Sequence, residues 1–458
     1  MTDRLARALD RASAARLIPG NAVRHLPDSA AALDAMLALI AAARRTVHFE
    51  NYIIRGDRTG RRFAAALAER ARTGVRVRVL YDAFGSIATR PRFWRELRRA
   101  GAEVRAFRPL LTSGPFEVLS RDHRKLVVTD GREAMLGGLC IGDEWAGDPA
   151  RGRLPWRDTM VSVCGPAVAA LEGSFARVWA SVGEPLPPDA FTPPAEPCGS
   201  SALRVIDGLP AQSRAYRAVQ LLAAAAEERL WITDAYMVAP PPLYASLVDA
   251  AKSGVDVRLL LPGTSDIPVV RTFSRIGYRD LLRAGARIFE YSGPMIHAKT
   301  LVVDREWARV GSTNLNISSL LGNYELDIIA ECDSLTEALA AQFRHDTARS
   351  REIVLLDRRR LPARLVRGPS PPTLPTPHKR SRRELQAVAA IALVQVAGGA
   401  RRKVAGAAAA TLAVLGALLL FFPRAASVVL ATGALLASLG LAVYALARRR
   451  TRRRTDGA

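Results

Sequence analysis

Two copies of one pattern stand out among the residues that could do chemistry. Each copy has a histidine, a lysine two positions later, an aspartate five positions after the lysine and a glycine seven positions after the aspartate. The residues are His123, Lys125, Asp130 and Gly137, and then His297, Lys299, Asp304 and Gly311. With six histidines and five lysines in the chain, chance gives the His-x-Lys-x4-Asp pattern roughly 0.004 times. Two copies therefore indicate a function.

Two imidazoles and two ammonium groups at one point suit the cleavage of a phosphodiester. The lysines hold the nonbridging oxygens as charge develops on them. One histidine attacks phosphorus and the other protonates the leaving oxygen. These roles require one neutral and one protonated imidazole, and the pair titrates as a coupled unit. The pattern leaves open which histidine attacks.

The sequence around the two motifs is repeated as well. A strand, helix, strand unit at 47–80 recurs at 230–260, with valine alternation after a glycine in both copies, and matching segments lie 174 to 184 residues apart. So long an offset predicts a duplicated domain of the α/β class. We expect two α/β/α sandwiches related by a pseudo-two-fold axis, which brings both motifs into one site. In each motif, residues i and i+2 of a strand point to one face.

Composition shifts divide the chain into six parts. The prediction is an N-terminal segment (1–27), a first half (28–190), a second half (198–366), a proline-rich and basic linker (367–403), two transmembrane helices (404–447) and a basic tail (448–458). A proline-rich stretch at 185–197 marks the junction between the halves.

Two apolar segments near the C-terminus predict a helical hairpin in a membrane. Residues 404–422 and 425–447 carry no charge over 19 and 23 positions, and each is long enough to cross a hydrocarbon layer of about 30 Å. Basic runs at 401–403 and 448–454 flank the hairpin. By the positive-inside rule, both ends lie in the cytoplasm. The expected location is the inner membrane, multi-pass, with the catalytic part facing the cytoplasm.

Charge and cysteine content limit which partners and which compartment are expected. The formal charge of +23 suits a polyanionic partner, either an anionic membrane surface or nucleic acid. Cys140, Cys164, Cys198 and Cys332 show no metal-type spacing. They therefore give no support to a disulfide framework or a zinc site, and a reducing setting is expected.

The chain is similar to the phospholipase D superfamily. The likeness lies in His-x-Lys-x4-Asp-x6-Gly-Gly or Gly-Ser and in NYE at 323–325, and covers about residues 20 to 350. Within the superfamily the chain resembles bacterial cardiolipin synthases. The shared runs are FENYI at 49–53, YDAFGS at 81–86, GDEW at 142–145, PWRDT at 155–159 and GPAV at 165–168.

The resemblance implies a set of site residues. Beside the two His-Lys pairs, Asn314 adds a phosphate contact and Glu325 orients a histidine. Asp158 is our choice for the matching carboxylate of the first half, and it is counted with Ser312 among the substrate-binding groups. The motif aspartates Asp130 and Asp304 belong to the catalytic motifs, although a structural role suits them better. No metal or other cofactor is expected.

The first half departs from the family pattern at Cys140, where asparagine is usual. One amide donor is missing there, so we expect the halves to differ. The aromatic residues beside the strands are expected to be core rather than ligand-binding; they are Tyr52, Phe84, Trp94, Trp145 and Trp156.

The resemblance implies a phosphatidyltransferase that works through a phosphohistidine. The first hypothesis is cardiolipin synthesis from phosphatidylglycerol with release of glycerol. The alternatives are a phospholipase D hydrolase that gives phosphatidic acid, a nuclease of the same superfamily, and an inactive membrane scaffold. We expect an anionic phospholipid substrate in a membrane and no nucleic acid partner. A chain with both motifs needs no second copy to complete its site.

Overall fold

The computed structural model describes residues 3–109 and 120–355. The helices are α1 (Asp3–Ser13), α2 (Ser29–Ala42), α3 (Arg58–Arg72), α4 (Pro91–Arg99), α5 (Asp143–Ala146), α6 (Ala167–Ala180), α7 (Arg214–Ala225), α8 (Pro241–Lys252), α9 (Pro268–Ile276), α10 (Tyr278–Arg283) and α11 (Asp333–Ala348). The strands are β1 (Ile18–Leu26), β2 (Thr46–Asn51), β3 (Arg76–Asp82), β4 (Glu103–Phe107), β5 (Lys125–Thr129), β6 (Glu133–Gly137), β7 (Met160–Cys164), β8 (Ser201–Gly208), β9 (Arg229–Thr233), β10 (Asp256–Pro262), β11 (Arg287–Tyr291), β12 (Thr300–Val303), β13 (Trp307–Gly311), β14 (Glu325–Glu331) and β15 (Ser350–Ile353).

The strand order shows the duplication directly. From the outside inward, the first half runs β4-β3-β2-β5-β6-β7-β1 and the second half runs β15-β11-β10-β9-β12-β13-β14-β8. Apart from the additional edge strand β15, the two orders match strand for strand, and the antiparallel pair of β1 and β8 joins them. Strands β2, β3 and β4 are parallel, as are the equivalent β9, β10 and β11, and the other strands are antiparallel to their neighbours. The predicted duplicated α/β fold is confirmed, and the pseudo-two-fold axis passes between β1 and β8.

The core consists of three apolar clusters, which place helices on both faces of the sheet. Helices α2, α3 and α4 cover the outer face of the first half. Helices α1, α7, α8 and α10 do the same for the second half. The third cluster contains α6, α11 and apolar residues from strands of both halves. Because this shared cluster is fully apolar, its burial holds the two halves together.

Local sequence explains the paired strand, helix, strand units. The Asp28 carboxylate accepts from the backbone N–H groups of Ala30 and Ala31 at 2.7 and 3.0 Å and so begins α2. Gly74 and Gly254 follow α3 and α8 with φ of +87° and +91°. This left-handed conformation suits glycine and ends each helix before the next strand begins. The same device is used in both halves.

The N-terminal residues are built into the sheet rather than set apart from it. Leu9 of α1 is fully buried in the cluster of the second half, and Asp10 accepts from Arg204 at 2.7 Å. Strand β1 pairs with β7 on one side and β8 on the other. Residues 3–26 therefore connect the two halves. The proline-rich stretch at 185–197 lies between α6 and β8, where the chain passes from one half to the other.

A disulfide joins Cys164 at the end of β7 to Cys198 just before β8, across 34 positions. The expectation that the cysteines support no disulfide is therefore wrong for this pair. Cysteine spacing could not reveal it, because the folding of β1 between β7 and β8 brings the two residues together. Such bonds persist mainly in oxidising compartments, and a reducing cytosol keeps a cysteine pair of this kind as free thiols.

Reduction of the Cys164–Cys198 bond should lower the free energy of unfolding of the oxidised protein. For a loop of this length, the chain-entropy estimate is about 4 kcal/mol, with about 2 kcal/mol as a realistic lower value. Thermal unfolding with and without a reductant measures the change. The variant Cys332→Ser is the control, since that thiol is not in the disulfide. A reductant that leaves the melting temperature unchanged would contradict the prediction.

Within the described part of the chain, no helix combines the length and apolar composition needed to cross a bilayer. The predicted transmembrane helices (404–447), the linker (367–403) and the basic tail (448–458) lie outside the described residues.

Candidate active site

Both His-Lys pairs lie where the central strands of the two halves begin. Lys125 is the first residue of β5, and Lys299 directly precedes β12. The histidines precede the strands instead of lying within them. Each lysine Nζ donates to the backbone carbonyl of its own histidine, His123 or His297. All four side chains are buried, and the two lysines are only 1% exposed.

Each histidine is held by a carboxylate of the opposite half. His123 Nδ1 lies 3.0 Å from Oε2 and 3.1 Å from Oε1 of Glu325, the first residue of β14. His297 Nδ1 lies 2.7 Å from Oδ2 of Asp158, which precedes β7. The partners are 202 and 139 positions apart in sequence. Because the carboxylates occupy Nδ1 of both rings, Nε2 is the atom that each ring presents for chemistry.

Backbone bonds hold the same crossed arrangement. The N–H of His123 donates to the carbonyl of Tyr324 at 2.9 Å, and the N–H of His297 donates to that of Arg157 at 2.7 Å. Tyr324 and Arg157 directly precede the two carboxylates. Each histidine therefore has its backbone and its ring fixed by neighbouring residues of the other half, so neither half holds a complete site alone.

The two carboxylates are supported differently. The Ser312 hydroxyl donates to Glu325 and accepts from the backbone N–H of Leu326 at 3.0 Å. At the equivalent position of the first half, Gly138 leaves room for Asp158, whose Oδ1 would lie 2.2 Å from an added Cβ. Trp145 Nε1 donates to Asp158 at 3.0 Å instead. Ser312, which we expected to contact substrate, therefore supports Glu325. Asp158 is itself the carboxylate that holds His297, the role for which it was matched to Glu325.

The buried setting favours neutral imidazoles. Burial lowers the pKa of His123 to about 4, helped by the charges of Lys125 and Lys299 and opposed by Glu325. Burial also lowers the pKa of His297, followed by the charge of Lys299, against the raising effect of Asp158. Each histidine responds to the lysine of the other half. The two motifs therefore form one electrostatic unit.

The other charged groups of the site also have shifted pKa values. Burial lowers the pKa of Lys299 to about 8, and the charge of Lys125 lowers it further against the opposing effect of Asp158. Burial alone would raise the pKa of Asp158, but His297, Lys299 and the N–H of Thr159 hold it at about 2. His123, Lys125 and Ser312 likewise overcome burial and lower the pKa of Glu325. Both carboxylates therefore stay ionised at neutral pH.

The residue three positions after the motif glycine differs between the halves. In the second half, Asn314 is 3% exposed, its Nδ2 lies 3.4 Å from the Ser319 hydroxyl, and its Oδ1 has no hydrogen-bond partner among the described residues. In the first half, Cys140 is fully buried at the matching position, and burial raises the pKa of its thiol. An amide is therefore replaced by a neutral thiol.

The two motif aspartates are not brought to the site. Asp130 lies at the far end of β5 and accepts from the backbone N–H groups of Arg44, Arg45 and Thr46 at 2.7 to 2.9 Å. Asp304 does the same beyond β12 for residues 227–229, at 2.8 to 3.2 Å. Both have positive φ, 55° and 48°, which aspartate tolerates better than most residues. They close the turn before β2 and β9.

Replacing Asp130 with alanine should destabilise the fold without changing the chemistry. Three backbone N–H groups lose their acceptor, which costs about 2 to 3 kcal/mol. Urea unfolding of Asp130→Ala measures this loss, and Asp130→Asn, which keeps one acceptor, should lose less. A fall in kcat of the folded enzyme with unchanged stability would instead place Asp130 in the catalytic machinery.

Aromatic side chains that we expected to be core contact the histidines. The Tyr52 ring lies 4.9 Å from the His123 ring and 5.1 Å from Lys125 Nζ. Trp145 and Trp156 lie 5.6 and 6.0 Å from the His297 ring. Tyr236, which the sequence analysis did not single out, lies 5.8 Å from the same ring. The available signal was position, since Tyr52 directly follows β2 and Tyr236 lies three residues after the end of the equivalent strand β9.

Comparison with known proteins identifies the family. The sequence profile described as "Cardiolipin synthase, PLD-like domain" matches residues 36–143 and 219–347, one match in each half. The chain is 36% identical to cardiolipin synthase A of Pseudomonas aeruginosa strain PAO1 over 358 residues, or 77% of this chain and 72% of that protein. The chain belongs to the cardiolipin synthase family of phospholipase D-like proteins.

Other members and neighbours of the cardiolipin synthase family agree with this assignment. Cardiolipin synthase A of Pseudomonas fluorescens strain SBW25 is 36% identical over 344 residues, or 74% of this chain and 70% of that protein. Among solved structures, phosphatidylserine synthase of Haemophilus influenzae Rd KW20 aligns with a TM-score of 0.59 and 13% identity, over 77% of this chain and 92% of that one. At that identity the likeness supports the fold alone.

Proposed function

We propose that this chain makes cardiolipin by transferring a phosphatidyl group between two phosphatidylglycerol molecules, with release of glycerol. The observation that carries the proposal is the crossed pair of His-Lys units, each held by a carboxylate of the other half. Relatives named cardiolipin synthase A at 36% identity support the choice of substrate.

The first step releases glycerol. The lysine ammonium groups bind the nonbridging oxygens of the first phosphatidylglycerol. The neutral Nε2 of one histidine forms a bond to phosphorus, and the bond from phosphorus to the headgroup oxygen breaks. The other histidine gives its proton to that oxygen, so glycerol leaves and a phosphatidyl-histidine remains.

The second step forms the product. The histidine that gave up its proton removes one from the free primary hydroxyl of a second phosphatidylglycerol. The hydroxyl oxygen attacks phosphorus and the phosphorus–nitrogen bond breaks, which restores both histidines to their starting protonation states. The two half-reactions balance without an added reagent.

Substrate binding supplies the electrostatic change that the second histidine needs. Burial and the two lysine charges lower the pKa of both imidazoles. An anionic phosphodiester between the lysines offsets those charges, so the pKa of an adjacent imidazole rises when substrate is bound. The ionised Glu325 and Asp158 then stabilise whichever imidazolium forms.

The rate should fall as pH rises through the pKa of Lys299. That ammonium group has a pKa of about 8, so it is charged below this pH and loses its hold on the phosphate above it. In Lys299→Arg the charge persists, and the alkaline limb of the pH–rate profile should move to higher pH although the absolute rate is lower. Rates between about pH 6 and 10 test this. The control is Lys252→Arg, since Lys252 is exposed at the end of α8. An alkaline limb that stays at the same pH in Lys299→Arg would contradict the prediction.

The deciding assay follows labelled phosphatidylglycerol incubated with the purified full-length protein in anionic-lipid micelles. Mass spectrometry measures cardiolipin, released glycerol and phosphatidic acid. Cardiolipin and glycerol in equal amounts support the proposal. Phosphatidic acid alone means that water is the acceptor, and cleavage of DNA but not of lipid means a nuclease.

We further propose that the enzyme is held in the inner membrane by a hairpin of the segments 404–422 and 425–447, with the catalytic part in the cytoplasm. The uncharged segments and their basic flanks support this placement. The site is assembled within one chain, so we propose a monomer that takes its anionic phospholipid from the same membrane. Protease accessibility of the 448–458 tail in spheroplasts tests the orientation, since a tail cleaved from outside would overturn it.

A further inference from the structure

Most of the exposed large apolar side chains of the described residues lie near the active site. Nine such side chains are exposed. Six of them, here termed the apolar rim, are Ile87, Leu154, Phe273, Ile276, Ile317 and Leu321. Ile276, Leu154 and Phe273 are 71%, 63% and 50% exposed. Exposed apolar side chains gathered in one region mark an interaction surface.

Contacts of the first half connect two rim residues to the catalytic histidines. Ile87 follows Ser86, whose hydroxyl donates to the Tyr52 carbonyl at 3.2 Å, and the Tyr52 ring contacts His123. Leu154 is two residues before Trp156, whose ring lies 6.0 Å from that of His297. Ile87 is thus next to a residue bonded to the backbone of Tyr52, and Leu154 is two residues from a ring near His297.

The second half connects the other four rim residues in the same way. The Tyr236 hydroxyl donates to Asp266 at 2.6 Å, two residues before α9, and the Tyr236 ring lies 5.8 Å from that of His297. Phe273 and Ile276 stand three residues apart on α9, which places them on one side of that helix. The other two rim residues, Ile317 and Leu321, flank Ser319, which contacts Asn314.

The three remaining exposed apolar side chains lie at the ends of the strands opposite the active site. Val354 and Leu355 follow β15, which runs antiparallel to β11 from Tyr291 back to Ile288. Phe191 precedes Thr192, which packs against the β5–β6 turn at Gly131. That turn is at the end of β5 opposite His123. The two groups are therefore separated by the length of the strands.

Charge around the apolar rim indicates what it contacts. The four rim segments, 87–92, 150–154, 267–279 and 317–322, contain seven arginines and no acidic residue. Three of these arginines pair with acids from elsewhere, namely Arg92 with Glu96, Arg151 with Asp148 and Arg275 with Glu290. Exposed apolar side chains surrounded by arginines suit the interface of an anionic bilayer. The apolar side chains enter the boundary of the acyl region, and the arginines contact the anionic headgroups.

We propose that the apolar rim docks the catalytic part onto an anionic phospholipid bilayer, with the active-site mouth at the level of the headgroups. The proposal rests on the proposed function, because its substrate lies in that bilayer. The catalytic histidines and lysines are buried, so a lipid phosphate must enter the protein to react. Docking lets the phosphate reach them while the acyl chains stay in the bilayer.

A tryptophan placed on the rim reports docking without any turnover. The full-length protein carrying Phe273→Trp is reconstituted in phosphatidylglycerol vesicles with brominated acyl chains. The emission added by the new tryptophan should fall by about half relative to unbrominated vesicles, because bromine quenches only at the acyl boundary. The tryptophan of Val354→Trp, at the end of the strands opposite the active site, should not be quenched. Equal quenching at both positions, or none at residue 273, would overturn the proposal.

A kinetic comparison separates docking from chemistry. The double variant Phe273→Ser, Ile276→Ser should raise the KM for vesicle phosphatidylglycerol about ten-fold and change kcat less than about two-fold. The matched pair Val354→Ser, Leu355→Ser should change neither. An unchanged KM in the rim variant, or displacement of vesicles from the rim by an oligonucleotide, overturns docking. If the unaltered protein does not turn over phosphatidylglycerol, the proposed function fails, and the quenching result still decides docking.

Discussion

Replacing either catalytic histidine with alanine should lower kcat/KM for cardiolipin formation by about 10⁴-fold to 10⁶-fold, and the double replacement should be no worse than the worse single one. The reason is that His123 and His297 act on opposite sides of one phosphorus atom within a single buried site. Losing either one removes a step that the other cannot perform. His345→Ala is the control, since His345 is an exposed residue of α11 and its loss should change the rate less than about two-fold.

The same variants identify the attacking histidine. A phosphatidyl ester with a nitrophenol headgroup needs no acid to leave, so a variant that lacks only the general acid should still give a burst of nitrophenol and a labelled phosphohistidine. A variant that lacks the nucleophile should give neither. Bursts from both His123→Ala and His297→Ala would contradict a covalent intermediate on one histidine.

Replacing Glu325 with glutamine should lower kcat by about 10²-fold to 10⁴-fold with little change in KM, as expected for loss of a carboxylate that orients a catalytic histidine. The glutamine keeps the size of the side chain but removes the charge 3.0 Å from His123 Nδ1. That charge raises the pKa of His123, so its removal lowers this pKa further and makes the imidazolium form less stable. Asp158→Asn should act in the same way on His297.

The pH dependence distinguishes this positioning role from a structural one. With Glu325→Gln, the limb of the pH–rate profile that reports the titration of His123 should move to lower pH, because the pKa of His123 falls. A fold defect would instead lower the rate equally at all pH values. Glu325→Asp, which restores the charge, should recover part of the rate. Glu337→Gln on the exposed surface of α11 is the control. Retention of full kcat by Glu325→Gln would show that the contact is not used.

The asymmetry of the halves gives the two histidines different environments. His297 is held by an aspartate, Asp158, which accepts a hydrogen bond from Trp145. His123 is held by a glutamate, Glu325, which accepts one from Ser312. The thiol of Cys140 replaces an amide beside the first motif. These differences are the structural basis on which one histidine can serve as nucleophile and the other as acid and base.

The sequence by itself determined the family, the duplicated α/β fold and the two His-Lys pairs. These features depend on short spacings such as His-x-Lys, or on repeats with valine alternation, which local chain geometry preserves. The same reasoning selected Glu325 and Asp158, but through resemblance rather than spacing. It also grouped Asp130 and Asp304 with the catalytic motifs, although their carboxylates bond to backbone at the far ends of the strands.

Only the tertiary structure decided which groups meet. The bond between His123 and Glu325 spans 202 positions, and that between His297 and Asp158 spans 139, so no local pattern contains either pairing. The insertion of β1 between β7 and β8 likewise brought Cys164 to Cys198 and made the N-terminal residues part of the sheet. The physical reason is that packing the halves around a shared apolar cluster sets these distances, and burial depends on the whole fold rather than on neighbours in sequence.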